Sequence, residues 1–405
     1  MAKGRFRTVT RLVHLWLGLL TGLVVFIVSI TGTLYVFDEE LFRLFHSELY
    51  HLKPTQPPLN LSQLRTIAQQ AIPGKKITSV KISGDPTDPY LFMAQQVAPP
   101  EKAGLTYFTQ LTYWDDVFID PYRGTVLGVV DRKYEFFNLD RQLHQHLLLV
   151  KPMGSFIVGG STLIFMVMLL TGFVLWIPRQ WKNLKNRLTV KTSGHWKRLN
   201  YDLHNTLGFY ILPVVLFIAI TGLVWSFKWW EGGIYRLMGV KEKPAFGREF
   251  KTPSTQLPTA PAEDLAFTQI RHFVQDQYKI IGINYTDKAD KPLNCYCILR
   301  NNSDGWRGFS YFFFDSLTGE FFDRIDHEKK PLAMKWRNSN LDLHTGRIYG
   351  WPTQILFVII SLISASLPVT GFLIWWGKRK KKSGSFKSRR LKSSGLSVPQ
   401  PLRGV

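Results

Sequence analysis

Four histidines stand where long apolar runs begin: His14, His144, His204 and His344. Two share a pattern. His14-Leu15-Trp16-Leu17-Gly18 and His204-Asn205-Thr206-Leu207-Gly208 each place a glycine four residues after the histidine. The other two each follow a leucine and precede a proline by eight positions, Pro152 and Pro352. An ionisable side chain at a membrane helix is costly and marks a functional candidate. One histidine near a helix end is ordinarily interfacial, but four at equivalent places form a set. Neutral imidazole ligates metals, and two on facing helices fill the axial positions of a six-coordinate haem iron. The expected pairs are His14 with His204 and His144 with His344, holding two haems.

His146 is the rival to His144. Two residues apart on a helix point to nearly opposite faces, so only one of them ligates. The proline alignment and the shared Leu-His dipeptide favour His144. Gly18 and Gly208 share a helix face with their histidines, where a missing side chain admits a flat macrocycle. Arg11 and Arg198 are expected to pair with propionates of an inner haem, and Arg141 or Arg347 with those of an outer one; lipid-headgroup contact is the plainer role. Zinc is disfavoured, because each level offers two histidines and no adjacent cysteine or glutamate pattern. His46, His51, His195, His272 and His327 read as surface residues.

The elements that must position these residues are four apolar stretches, Leu12–Phe37, Phe156–Ile177, Phe209–Phe227 and Ile355–Trp376. A bilayer crossing takes roughly 20 apolar residues. The chain has 405 residues and a formal charge of +22. Four Lys/Arg precede the first stretch, seven lie between Pro178 and Asn200, and ten follow Trp376; the last two segments hold no acid. Basic residues confined to short segments beside apolar runs give the positive-inside signal, not a nucleic-acid surface. Both termini and the 178–199 loop are therefore expected in the cytoplasm. The first stretch is too long for a cleaved signal and lacks a small-residue cleavage site. Cys295 and Cys297 are the only cysteines; alternation on one strand face accounts for them.

The expected order is a cytoplasmic N-terminus with helix 1 (1–37), an outer α+β segment (38–139), helix 2 (140–177), a basic loop (178–199), helix 3 (200–228), a second outer segment (229–340), helix 4 (341–376) and a basic tail (377–405). In the first outer segment a helix is expected at Leu61–Ala71 and strands at Ile77–Ile82, Trp114–Asp120 and Thr125–Val130, the last two joined by Asp120-Pro121-Tyr122-Arg123-Gly124. In the second, a helix is expected at Leu265–Tyr278 and strands near Lys279–Tyr285, Cys295–Arg300, Ser310–Asp315 and Glu320–Asp326. The halves repeat. His14 to Thr31-Gly32 and His204 to Thr221-Gly222 both span 17 positions, and the second and fourth helices reach Thr171-Gly172 and Thr370-Gly371. Helix, outer segment, helix is thus an internal duplication. It puts His14 and His204 at the cytoplasmic end and His144 and His344 at the outer end, one pair per leaflet.

On these anchors, together with Leu343-His344-Thr345-Gly346, Phe118-Ile119-Asp120-Pro121-Tyr122-Arg123-Gly124 and its degenerate second copy Phe314-Asp315-Ser316-Leu317-Thr318-Gly319, the sequence resembles the PepSY-associated transmembrane helix family. These are iron-regulated membrane proteins of Gram-negative bacteria, and the resemblance spans roughly residues 7–380. The fold it implies is membrane α+β: a four-helix transmembrane bundle with two periplasmic PepSY-like α+β segments. The function it implies is a di-haem b inner-membrane reductase of ferric siderophores, bis-histidine at both haems. The four histidines carry over; no motif carries a substrate site. Some relatives have a cytoplasmic flavodoxin-like or reductase extension, and here only a basic tail stands there, so the electron donor is expected to be a separate molecule. Competing expectations are an electron-transfer protein with another acceptor (copper, a sulfur compound or a quinone) and a haem-free PepSY binding or regulatory membrane protein.

Overall fold

The computed structural model describes residues 2–193, 195–241, 260–286, 291–300 and 304–393, with side chains from 4 to 379. Residues 242–259 of the second outer segment and 394–405 of the tail lie outside the described residues. The chain divides into two compact units: residues 1–29, 161–216 and 360–405, and residues 30–160 and 217–359.

Helix α1 (Ala2–Tyr35) is followed by α2 (Asp38–Phe45), α3 (Leu61–Ala71) and strands β1 (Ile77–Ser83), β2 (Tyr90–Val97), β3 (Leu111–Asp120) and β4 (Thr125–Asp131). Helices α4 (Phe136–His146), α5 (Lys151–Trp176), α6 (Lys185–Leu188) and α7 (Trp196–Asp202) lead through a π-turn at Leu203–Leu207 into α8 (Gly208–Ser226). Next come α9 (Lys228–Leu237), α10 (Ala262–Phe273), β5 (Tyr278–Asn284), β6 (Leu293–Leu299), β7 (Phe309–Phe314) and β8 (Phe321–Ile325). Helices α11 (Leu332–Thr345) and α12 (Trp351–Ser393) close the order.

Four helical spans among the described residues are long and apolar enough to cross a membrane: Gly4–Tyr35, Lys151–Trp176, Trp196–Ser226 and Trp351–Arg379. Large apolar side chains on them stay uncovered, Leu20 at 72% and Leu23 at 73% exposure. In water such a surface would be a liability; in lipid it is the expected outer face. The second and fourth spans start later than the sequence suggests. Helix α4 stops at His146, and Leu147 and Leu148 take left-handed backbone. Pro152 is the second residue of α5, a first-turn position where its missing N–H and its ring are tolerated. Gly346 (φ +77°) breaks α11 from α12 ahead of Pro352 in the same way. His144 and His344 therefore sit on the last turns of separate helices.

Among the described residues eight strands, all in the second unit, form one antiparallel sheet in the order β4-β3-β2-β1-β5-β6-β7-β8. At its centre β1 pairs with β5, Lys81 opposite Gly282. The two outer segments thus contribute four strands each to a common sheet. Helices α3 and α10 cover one face with Leu61, Leu64, Ala68, Ala266 and Ile270, against Ile77, Phe92, Val117, Ile119, Ile281 and Phe312. Cys295 and Cys297 join this core from β6 as free, buried thiols. On β3, Phe118 points opposite to Val117 and Ile119 and packs with Phe42, Leu49 and Phe137, the period-two alternation of a strand. Helix α3 starts on a capping box, Asn60 with Gln63.

The two hairpin turns use one device. Asp120 Oδ1 accepts the amides of Tyr122 (2.8 Å) and Arg123 (3.3 Å), and Asp315 Oδ1 those of Leu317 (2.7 Å) and Thr318 (2.8 Å). Gly124 and Gly319 supply the positive φ, +67° and +71°, that closes each turn. Two expectations change. Helix α10 ends at Phe273 rather than Tyr278, because Gln275 and Asp276 turn left-handed and Tyr278 already belongs to β5. His327 is a buried residue, not a surface one: its Nε2 lies 3.0 Å from Asp304 Oδ2.

Candidate functional site

The first unit brings His14 and His204 together. Their ring centroids are 6.3 Å apart, with planes turned by 82°. His14 comes from α1; His204 comes from the π-turn ahead of α8. Such a local widening inserts an extra residue per turn, re-aims a side chain and is frequent at functional sites. His14 Nδ1–H donates to the Met168 carbonyl (3.1 Å) and to Thr171 Oγ1 (3.1 Å). His204 Nδ1–H donates to Thr370 Oγ1 (2.9 Å). The hydroxyls of Thr171 and Thr370 donate in turn to carbonyls of their own helices, so their oxygens are left to accept.

The second unit repeats the arrangement. His144 and His344 have centroids 6.2 Å apart and planes turned by 66°. His144 Nδ1 lies 3.2 Å from Thr31 Oγ1; His344 Nδ1–H donates to the Ile218 carbonyl (3.1 Å) and lies 3.0 Å from Thr221 Oγ1. The indole of Trp225 meets His344 edge-on at 5.3 Å. In all four cases Nδ1 is the hydrogen-bonded nitrogen; at His14, His204 and His344 a backbone carbonyl accepts from it, which fixes the tautomer and leaves the Nε2 lone pair to ligate.

The ring separations carry chemical information. A ring nitrogen lies about 1.1 Å from the imidazole centroid and a metal–imidazole bond is about 2 Å, so two imidazoles on opposite sides of one ion set their centroids about 6.2 Å apart. Both pairs have this spacing. Rotation about the common axis leaves the interplanar angle free.

A glycine follows each of the four threonines and lies against the same ring. A methyl group at Gly172 would come 3.2 Å from His14 Cε1, at Gly371 3.2 Å from His204 Cε1, at Gly32 2.9 Å from His144 Cε1, and at Gly222 3.0 Å from His344 Cε1. The Thr-Gly dipeptides are thus cradles: the hydroxyl holds Nδ1 and the bare backbone admits the ring. Sequence reasoning used them only as markers of the repeat. The fixed interval of 17 positions from His14 to Thr31 and from His204 to Thr221 was the available signal. Asparagines add to the scaffold. Asn200 Nδ2 donates to the Thr370 carbonyl (3.1 Å) and Asn340 Nδ2 to the Thr221 carbonyl (3.0 Å), each four residues before its histidine.

A model of the PepSY-associated TM region matches residues 11–378. The chain belongs to this family. No curated protein matches it.

The remaining candidate residues of this PepSY-associated chain fall as follows. His146 turns away to Gln142, its Nδ1 3.2 Å from Oε1. A side chain at Gly18 would crowd Met168 (3.1 Å to Cε), whereas one at Gly208 would make ordinary contact with Leu367 (3.6 Å). Arg11 is exposed. Arg198 pairs with Asp202 (2.7 Å), four residues on. Arg141 donates to Asn138 Oδ1 (2.6 Å) and lies over the Trp114 ring. Arg347, three residues after His344, binds Asp38 (2.5 Å) and the Val36 carbonyl (3.0 Å) and reaches Glu39 (3.5 Å). That ties the end of α1 to the turn after α11. Among the described residues no three His, Cys, Asp or Glu side chains gather at a metal-binding distance. The histidine pairs therefore offer two protein ligands each, too few for a four-coordinate structural ion and the number that a porphyrin iron leaves open.

Proposed function

We propose that this PepSY-associated protein is a di-haem b reductase of the inner membrane that passes electrons outward to ferric siderophores in the periplasm. The observation that supports it is the pair of imidazoles brought together in each unit, with ring centroids 6.3 and 6.2 Å apart, the spacing at which both could ligate one haem iron. His14 and His204 would hold one haem, His144 and His344 the other. Each haem, when bound, supplies a one-electron iron(III)/iron(II) couple. The chain's own part is to keep Nε2 of each ligand deprotonated, through a Nδ1–H bond to a threonine or carbonyl oxygen, and to keep the ring in place with a glycine.

Charge distribution supports the orientation: both termini and the 178–199 loop cytoplasmic, the sheet-bearing segments periplasmic. The mirrored strand order about β1 and β5 and the matched Asp–Gly hairpin turns support a duplicated chain. Reduction of ferric to ferrous iron weakens its hold by hard oxygen ligands, which is how a siderophore would release it.

The test is an absorption spectrum of the detergent-extracted protein with a pyridine haemochrome count, then reoxidation of the dithionite-reduced form. Two haems per chain and rapid reoxidation by ferric siderophores are expected. No haem would remove the proposal in favour of a haem-free binding module. Reoxidation by cupric ion, a sulfur compound or a quinone, but by no ferric chelate, would change the acceptor.

A further inference from the structure

Two stretches of the second unit run side by side where α5 begins. Tyr107 N–H donates to the Leu148 carbonyl (2.8 Å) and Val150 N–H to the Leu105 carbonyl (3.0 Å), with Thr106 opposite Leu149 in an antiparallel bridge. The buried Tyr107 hydroxyl donates to the Lys133 carbonyl (3.2 Å) and accepts from Asn138 Nδ2 (2.8 Å), which pins the loop to the residues after β4 and to α4. So held, the loop displays apolar side chains rather than hiding them. Leu105 is 68% exposed. Phe108 stacks on Tyr134, itself 54% exposed, with centroids 5.9 Å apart and planes 12° from parallel. Single exposed apolar residues need no explanation, but a group fixed in place marks an interaction surface.

Height along α5 says what covers this group. Val150 immediately precedes α5, and Phe156, 72% exposed, opens its apolar run. Six residues at 1.5 Å each set the Leu105 backbone about 9 Å from Phe156 along the helix, and tilt of a membrane helix shortens that height. The polar layer on each side of the hydrocarbon is about 5–8 Å deep, and aromatic rings gather in it. Lys102, three residues before Leu105, and Lys151, next after Val150, are also exposed; their ammonium groups suit lipid phosphates. We propose that Leu105, Phe108 and Tyr134 rest in the headgroup layer of the bilayer, so that the first outer segment touches lipid through this loop as well as through its helix ends. The surface continues the lipid-facing start of α5. It depends on neither haem nor acceptor, so it stands or falls apart from the reductase reading.

The test is spin labelling of the full-length protein in vesicles of phosphatidylethanolamine with phosphatidylglycerol. Nitroxides are placed at Leu105→Cys and Phe108→Cys, with Gln70→Cys, an exposed position on α3, as the aqueous reference and Phe156→Cys as the lipid one. Cys295 and Cys297 are buried, and the unsubstituted protein, treated alike, corrects for any label they take. Collision with oxygen, which partitions into lipid, is compared with collision with a water-soluble nickel chelate. The oxygen-to-nickel ratio at Leu105→Cys and Phe108→Cys should exceed that at Gln70→Cys severalfold and approach that at Phe156→Cys. A ratio equal to that at Gln70→Cys would put the loop in water and overturn the proposal. Low accessibility to both reagents would overturn it in favour of a protein cover such as a second copy of the chain. A melting curve checks that each variant folds; if one of the two loop variants does not, the other carries the test.

Discussion

Gly32 lies against His144, so close that a methyl group on it would stand 2.9 Å from Cε1 of the ring. Alanine is the better helix former by about 1 kcal/mol, so Gly32→Ala should leave α1 intact or firmer while displacing the imidazole. The expected outcome is a protein that melts no earlier than the parent and retains about half its haem. A haemochrome count beside a thermal melt separates this from misfolding. Undiminished haem in a well-folded Gly32→Ala protein would show that the cradle is dispensable.

The histidines themselves divide. His204→Ala should remove one haem of two and spare the second, because the two ring pairs lie in different compact units. His146→Ala should remove none, since its ring is turned to Gln142. Haem content of the two variants, extracted side by side, decides whether His144 rather than His146 is the ligand.

Much of this was legible in the sequence, for reasons that differ by element. The nearness of His14 to His204 and of His144 to His344 could be read because the helices repeat one histidine-to-threonine spacing. The β3–β4 hairpin announced itself through Asp120 and Gly124, and α3 through its Asn60 cap and apolar spacing. Strand β2 gave no such sign: its last residues, Gln95, Gln96 and Val97, are exposed, so the alternation fades half-way. The pairing of β1 with β5 joins residues some two hundred positions apart, as Ser79 with Asn284, and no local pattern encodes that. The break after His146 was hidden by the apolar run Leu147–Val150, although Pro152 foretold it. Burial of His327 depends on Asp304, which lies 23 positions upstream, and periodicity cannot see such a partner.

The hairpin turns offer a stability test. Asp120→Ala removes the acceptor of two amides and should cost about 1–3 kcal/mol. Leu64→Ala empties a fully buried position between α3 and the sheet and should cost about 2–5 kcal/mol. Both should lower the melting temperature of the full-length protein, Leu64→Ala more, with the haem absorption unchanged until unfolding. A larger loss from Asp120→Ala than from Leu64→Ala would contradict this ordering.

Lys330 gives the second unit a pH dependence. The residue is 5% exposed, its Nζ donates to the Phe309 carbonyl and lies 4.2 Å from the Tyr311 ring centroid, and burial pushes the ammonium down to about 7. The unfolded chain holds that proton to about pH 10.4. Between these values the unfolded state binds more protons than the folded one, so stability rises with pH, by at most about 1.4 kcal/mol per unit. Below about 7 both states are charged and the term is constant at its least favourable. Melting temperatures taken from pH 6 to 9 should climb above neutrality, and Lys330→Met should flatten the climb. An equally steep profile in Lys330→Met would assign it to another group.

The threonine hydroxyls should set the potentials of the bound haems. A Nδ1–H bond to oxygen makes an imidazole a stronger donor, which favours the oxidised metal. His14 keeps the Met168 carbonyl if Thr171 is replaced, and His204 keeps the Leu367 carbonyl if Thr370 is replaced. Thr370→Val and Thr171→Val should therefore each raise the potential of the haem of His14 and His204 by a similar, partial amount. Both should leave the haem of His144 and His344 unmoved, since their partners are Thr31 and Thr221. A spectroelectrochemical titration resolves the two haems by their separate waves. Equal shifts in both waves would mean that the substitution acts through the fold rather than through the hydrogen bond. No shift at all, with haem content intact, would mean that the hydroxyl only positions the ring.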